Sequence, residues 1–524
     1  MTAEDSSASA SSTGPAGPST ATEEAHLVAL GYSGTDFHRS MSLWSNLALG
    51  FTYLSPLVGV YSLFAFSLSI GGPPAIWWIV IVGCGQFLVA LVFGEVVSQY
   101  PLAGGIYPWC RRLWGRKYAW IVAWVYLWAV IVTVTAVAEF GGGFIAALFG
   151  IEATAQVGLA TAVGLLLLAM AFNYSGTHML ARVAKIGLAA ELVGVIALGL
   201  YLLIFQRENS FSVFFDSMGA GGDQAYVATF FTASLAGLFL FYGFEACGNV
   251  AEEVDDPTRR IPRAMMFTIM IGGVSALFSY AGYVLAAPNL QGIVDGDITD
   301  PIPSILEDTL GVAGSKVFLI IAVTAFVSCV LSLQAAGSRL IYSSARDRML
   351  PMSSWLAHMS PRHAVPTNAL LVACVVPILI CIYVYVEPDQ LPRVTAFAVL
   401  GIYIAFQAVV LAALRQRLSG WRPAGNWNLG SAGMLVNVIA QAYGIMAIFL
   451  LLRPGDTGVW LDDWVVAVGL FVVMATGLLY LFIAKPDRHS EGVAEGDAIE
   501  VANLLRSLRE QPPTVTGSGG GAVS

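Results

Sequence analysis

Runs of about twenty residues without a charge recur along this 524-residue chain, and that is the length a helix needs to cross a bilayer with its backbone hydrogen bonds satisfied internally. The first such region, Ser40 to Gly94, holds no Asp, Glu, Lys or Arg. It is interrupted at Gly71-Gly72-Pro73-Pro74, so it reads as two helices joined by a tight turn. Further candidates lie near 118–147, 154–173, 181–205, 225–250, 264–287, 316–340, 367–386, 394–414, 433–452 and 463–484. The spacing predicts an all-α integral membrane protein with twelve transmembrane helices. Charged residues make up 11% of the chain, against about 25% in soluble domains, which excludes an ordinary soluble globular fold.

Basic residues resist translocation, so their distribution sets the orientation. With both termini cytoplasmic, the inner side takes all Lys and Arg except Arg207, Lys316, Arg393 and Arg453. An even number of spans satisfies that bias. Residues 1–39 begin with a low-complexity stretch of Ala, Ser, Thr, Gly, Pro and acids that cannot bury a core, and read as a disordered cytoplasmic tail. Residues 40–485 form the membrane domain and 486–524 a second cytoplasmic tail. In that tail Val501, Leu504, Leu505 and Leu508 recur at helical spacing, expected as a solvated, partly formed helix or a short surface helix. The net charge of −9 sits mostly in tails and outer loops and points to no nucleic-acid partner. The expected surroundings are the lipid of the plasma membrane.

Cys84, Cys110, Cys247, Cys329, Cys374 and Cys381 lack disulfide or metal spacing, and the six histidines lack ligand spacing, so no metal site or bound cofactor is expected. The informative chemistry is acidic. An ionisable side chain at membrane depth is costly and is by default a functional candidate. Glu139, Glu191 and Glu245 qualify. Glu191 lies nine residues beyond Arg182, roughly 14 Å along a helix, near the bilayer middle. A carboxyl there can carry a coupled proton, pair with a substrate ammonium, or make a structural hydrogen bond to a neighbouring helix. Glu139 falls in the outer half of its span, as a cation guide or a group in contact with headgroup water.

Glu245 stands in Phe241-Tyr242-Gly243-Phe244-Glu245-Ala246-Cys247-Gly248, where two glycines weaken the helix. The first span carries a matching interruption, Ser55-Pro56-Leu57-Val58-Gly59, in which the proline removes an amide donor. Spans 1 and 6 open two five-helix halves, and interrupted spans at corresponding places point to a midplane site between inverted repeats. Half-helix amino ends suit an anion and freed carbonyls suit a cation, so an amino acid or small amine fits. Close helix packing through Gly243 and Gly248 is the alternative. Tyr242, Phe244 and Trp128 are candidates to face a quaternary ammonium.

Residues 241–265, FYGFEACGNVAEEVDDPTRRIPRAM, resemble the sixth span and following loop of amino acid permeases of the amino acid-polyamine-organocation superfamily. Gly94-Glu95 through Tyr107 and Ser338-Arg339 through Pro351 resemble the same family, in the same order. The break SPLVGVYSLF is closest in look to the branch of amino acid, choline and 4-aminobutyrate permeases. The resemblance implies a leucine-transporter-like 5+5 inverted repeat, about 40–206 and 224–418, followed by two extra helices within 433–484. It also implies a pocket at Ser55, Pro56, Leu57, Val58, Gly59, Phe241, Tyr242, Gly243, Phe244 and Glu245. Several relatives place a lysine in span 5 in lieu of a sodium ion. Aligned on Arg182-Val183, this chain has Glu191 there, which makes Glu191 and Glu245 the candidates for proton coupling.

The loop AEEVDDPTRRIPR is expected to form ion pairs of Glu252 or Glu253 with Arg259 or Arg263, and Tyr107, Trp109 and Trp114 to lie at the interface. Thr324, Ser328 and Ser332 share one face of span 8, for a sodium ion or for helix-to-helix hydrogen bonds. A channel would need a continuous polar lining, which no span shows. An enzyme would need a catalytic constellation, also absent. The expectation is a secondary transporter importing an amino acid or amine with protons; an amine-specific carrier, an exchanger and a nutrient sensor are the alternatives.

Overall fold

The structure, a computed structural model, describes residue 30 and residues 40–510 apart from 153, 223–224, 299, 388–389, 456–457 and 491–492. The expected disordered tail, 1–39, lies outside the described residues except for Leu30. Among the described residues, eleven helices are long and apolar enough to cross a membrane. The sixth predicted span, 225–250, is instead a pair of short helices ending at a break, its apolar helical stretch running only from Tyr226 to Leu240.

The first membrane crossing is split into α1 (Leu43–Leu54) and α2 (Pro56–Gly71). Pro56 has no N–H to continue α1, and it disfavours helical geometry at the residue before it. Ser55 accordingly adopts a left-handed conformation, φ 43°. Pro56 then starts α2 at the first position, where a missing N–H costs nothing, and the Ser55 hydroxyl caps α2 by accepting from Val58 N at 3.3 Å. The next helices are α3 (Trp77–Gln99), a short α4 (Ile106–Leu113), α5 (Arg116–Phe149), α6 (Ala155–Tyr174) and α7 (Thr177–Glu191). α7 passes through a π-helical turn, Leu192–Ala197, into α8 (Leu198–Phe205). The π-turn starts immediately after Glu191, and such turns are concentrated at functional sites.

α9 (Tyr226–Thr232) and α10 (Ser234–Leu240) lead to the second break, where Gly243 takes φ 116°, and α11 (Ala246–Asn249) resumes after it. α12 (Pro257–Ala286) and α13 (Pro301–Arg346) follow, α13 turning at Gly311 with φ 68°. α14 (Thr367–Val386), α15 (Leu391–Leu418), α16 (Gly433–Leu451) and α17 (Val465–Ala484) complete the bundle. Outward residues such as Phe449, Phe471, Phe482 and Ile483 are exposed apolar groups, as a lipid-facing surface requires.

The tail segment expected to be solvated is packed. α18 (Ala498–Glu510) buries Ala498, Val501, Ala502 and Leu505 against the bundle and leaves Leu504 and Leu508 exposed. The strand of chain leading to it wraps the fully buried Arg111, whose guanidinium donates to Ser490 O at 2.7 Å and Val493 O at 3.1 Å. Arg112 pairs with Asp497, and Gln99 donates to Ala498 O at 3.0 Å. An amphipathic pattern shows that a helix has an apolar face; it does not show that buried arginines wait to hold the chain beside it.

Candidate functional site

The two interruptions lie side by side, with their chains running antiparallel. Asn46 donates to Cys247 O at 3.0 Å, Gly243 packs on the Leu54 backbone, and Gly59 packs on Leu240. The glycines are what allow this approach. A Cβ on Gly243 would stand 2.5 Å from Leu54 N, and one on Gly59 would stand 2.5 Å from a Leu240 methyl. We expect Gly243→Ala to lower thermal stability by on the order of 1–3 kcal/mol, because positive φ and backbone collision act together. Gly143→Ala on α5, with nothing within 4 Å of the new methyl, is the matched control and is expected to leave the melting temperature unchanged or raised. Equal melting curves for the two variants would show that the breaks do not depend on Gly243.

Glu191 is fully buried and its Oε2 accepts a hydrogen bond from the Ser55 hydroxyl at 2.9 Å, so α7 is tied to the break between α1 and α2. Its Oε1 has no partner among the described residues. Glu245, also fully buried, caps its own break: Oε2 accepts from Gly243 N at 2.7 Å and Oε1 from the Tyr126 hydroxyl of α5 at 3.1 Å. Asn249 donates to the same hydroxyl at 3.4 Å. Among the described residues every hydrogen-bond partner of the two carboxyls is uncharged, and neither acid is held by a guanidinium or ammonium. A buried carboxyl in that setting can bind a proton or face a cation.

The predicted pocket residues divide in two. Ser55, Tyr242, Gly243 and Glu245 gather around the breaks, where the Tyr242 ring meets Tyr53 edge-on at 6.4 Å and Phe239 at 5.5 Å. The rings of Phe241 and Phe244 point elsewhere. Phe241 lies against Gly83 and Gly273 in a lipid-side groove, and Phe244 packs between Phe93 and Phe406, at 5.6 and 5.2 Å. The expectation that Phe244 faces a ligand cation is therefore corrected: these two residues bring backbone to the break, because irregular φ,ψ there destroys the helical rule for side-chain direction. Leu57 packs toward Gly194 of the π-turn and Pro56 toward Gly272, while Val58 is buried at the start of α2. Trp128 is not at the site; it stacks edge-on with Trp124, whose indole donates to Val473 O of α17 at 2.9 Å. Tyr126, two residues earlier, takes that place.

Glu139 is half-buried near Gly158 of α6, about 20 Å along α5 from Tyr126, and is not brought to the breaks. Ser332 shares a hydrogen bond with Thr52 of α1 at 2.7 Å, Ser328 bonds Ala325 O, and Thr324 bonds Ile320 O, so only Ser332 of the three bridges helices through its hydroxyl. Among the described residues no group of three His, Cys, Asp or Glu side chains is placed to hold a metal. Cys84 is exposed on the groove holding Phe241, unlike the other five cysteines, which are buried.

Beneath α11, at the end of the bundle rich in Lys and Arg, the chain is closed by buried charge. A 3-10 turn, Ala251–Glu253, directs both acids inward. Glu253 pairs with Arg339 at 2.9 Å and accepts from Thr177 at 2.7 Å; both members of the pair are essentially without solvent contact. Glu252 pairs with Arg346 at 3.2 Å and accepts from Ala103 N at 3.0 Å. The partners come from the end of α13, not from Arg259 or Arg263 as the loop sequence suggested. Ser40 and Met41 donate their amides to Glu253 O, drawing the start of α1 into the same closure. Tyr107 and Trp109 are buried rather than interfacial, and Trp109 lies directly against Gly248. Tyr107 donates to Asp347 at 2.9 Å; burial raises the Asp347 carboxyl above its ordinary value, and the nearby Arg346 and Arg111 partly offset this. At the opposite end the Tyr61 and Tyr283 hydroxyls touch, and Ser67 bonds Tyr280 at 2.8 Å.

A profile of the amino acid permease family matches residues 41–485. An Arabidopsis thaliana protein named amino-acid permease BAT1 is 24% identical over 480 residues, covering 82% of this chain and 88% of the relative. A choline transporter of Saccharomyces cerevisiae is 24% identical over 531 residues, covering 90% and 86%. A proposed polyamine transporter of Candida albicans is 23% identical over 494 residues, covering 88% of each.

Proposed function

The chain belongs to the amino acid permease family, a membrane protein that transports amino acids or amines, and on that basis we propose that it is a proton-coupled importer of the plasma membrane. The proposed architecture is twelve spans, counting the interrupted helix around Gly243, arranged as a leucine-transporter-like 5+5 repeat with both termini cytoplasmic. The antiparallel contact of the two breaks supports that arrangement. The observation carrying the mechanism is the Ser55 hydrogen bond to Glu191, which joins α7 to a helix break and leaves the second carboxyl oxygen without a partner among the described residues. A proton arriving at Glu191 changes the charge beside the break, and substrate arriving at the break changes the setting of Glu191. Each thus biases the other, which is the requirement for coupled transport. The ion pairs at the basic end and the tyrosine contact at the other are the proposed gates, alternately opened.

For the substrate, the amino end of α2 suits a carboxylate and Glu245 suits an ammonium, so an amino acid satisfies both. A second reading, an amine without a carboxylate, is favoured by the rings of Tyr53, Tyr242 and Phe239 beside Glu245. The amino-acid permease name among its relatives agrees with the first reading, and the choline and polyamine transporter names with the second. The test is a thermal-shift screen of the purified chain against amino acids, 4-aminobutyrate, choline, ethanolamine and putrescine. A ligand at a hundred times its dissociation constant stabilises the folded state by about 2.7 kcal/mol. We expect stabilisation by compounds carrying both groups; stabilisation by choline or putrescine alone establishes the second reading, and none by any amine or amino acid opposes both.

A further inference from the structure

We propose that the chain has a separate site for the phosphate headgroup of an anionic phospholipid, in the cavity between the end of α13 and the end of α17. The cavity measures about 630 Å³ and lies at the same end of the bundle as the buried ion pairs. Its wall includes Arg346, Arg348, Ser353, Ser354 and His489, with Tyr480 and Ala484 contributed by the last turns of α17, and no carboxylate belongs to its lining among the described residues. Phe482 and Ile483 on those turns are exposed apolar side chains directed to lipid, so the mouth of the cavity stands where acyl chains give way to headgroups.

Arg348 is placed for a phosphate rather than for a protein partner. Arg348 is exposed, and its guanidinium makes no hydrogen bond or ion pair among the described residues. Its backbone is left-handed, φ 59°, as are those of Met352, also in the lining, φ 50°, and Lys485, between the lining residues Ala484 and Pro486, φ 46°. Three strained non-glycine residues around one opening are a cost that packing alone does not explain, and such strain gathers at binding sites. The Arg348 guanidinium, the His489 imidazole and the Ser354 hydroxyl supply donors for phosphate oxygens, while the Tyr480 ring and Ala484 supply an apolar side for the glycerol and first methylenes. Arg346 lines the cavity and also holds Glu252. A bound headgroup therefore shares a residue with the closure beneath the breaks, which connects bilayer composition to that closure.

The test uses the full chain in nanodiscs of phosphatidylcholine alone or with phosphatidylglycerol. The wild-type melting temperature is expected to rise in the anionic discs. Arg348→Gln combined with His489→Gln is expected to lose that rise while matching wild type in phosphatidylcholine. Ser354→Asp, which keeps both cations and places a carboxylate in the cavity, is expected to lose it too and decides the matter if the double variant does not fold. Arg422→Gln, an exposed basic residue at the same end but outside the cavity, is expected to keep it. An undiminished rise in the cavity variants overturns the proposal, as does an equal rise on adding inorganic phosphate to phosphatidylcholine discs, which would make the ligand a soluble phosphate.

Discussion

Glu191→Gln is expected to abolish the dependence of uptake on external pH, with concentrative uptake falling at least tenfold, a difference of about 1.4 kcal/mol or more in coupling. Glutamine keeps the size of the side chain and an oxygen that can accept from Ser55, so the tie between α7 and the break survives. It cannot carry a proton. Uptake by the wild type should rise as the external medium is acidified, because the proton is a co-substrate, and the variant should show a flat profile. Exchange of labelled for unlabelled substrate, which needs no net proton movement, should persist. Ser55→Ala is expected to be intermediate, since it frees the carboxyl without removing it. An unchanged pH profile in Glu191→Gln moves the proton to Glu245; unchanged profiles in both Glu191→Gln and Glu245→Gln remove the acids at the breaks from coupling altogether.

The second large effect concerns Arg339 and Glu253. Removing one partner of a buried ion pair leaves an uncompensated charge and costs about 3–5 kcal/mol, whereas replacing both by apolar groups of similar volume is often neutral. Both side chains here are excluded from solvent, and Glu253 also collects the Thr177 hydroxyl and, through its carbonyl, the amides of Ser40 and Met41. Arg339→Met should therefore lower the melting temperature sharply, and Arg339→Met with Glu253→Met should recover most of the loss. Transport separates structure from gating: a double variant that folds but no longer concentrates substrate assigns the pair to the switch. A loss under about 1 kcal/mol in Arg339→Met would contradict the view that this closure is a sealed, low-dielectric contact.

Much of the membrane architecture was readable because it rests on local rules. Pro56 cannot continue a helix and Gly243 is one of the few residues at ease with positive φ, so both breaks were legible as sequence. The glutamates stood out because charge is scarce in these spans. What escaped depends on three-dimensional closure. Tyr126 is one tyrosine among 19, and nothing in its neighbourhood marks it as the donor to Glu245. The partners of Glu253 and Glu252 lie 86 and 94 residues away, beyond any helical spacing rule. The directions of the Phe241 and Phe244 rings were lost because periodicity fails where the helix does. The sixth predicted span falls short of a continuous membrane helix for the same reason: the break uses up residues 241–245. The docked tail was misread because helical spacing describes a face, and its receptor includes arginines of α4 nearly four hundred residues upstream.

The most direct measurement is proton movement with substrate in proteoliposomes loaded with a pH-sensitive dye, using the ligand the thermal-shift screen identifies. Adding substrate outside should acidify the lumen as substrate accumulates, and Glu191→Gln should show no acidification. Accumulation with no change in lumenal pH would contradict proton coupling, and Glu191 would then be a structural link between α7 and the break at Ser55.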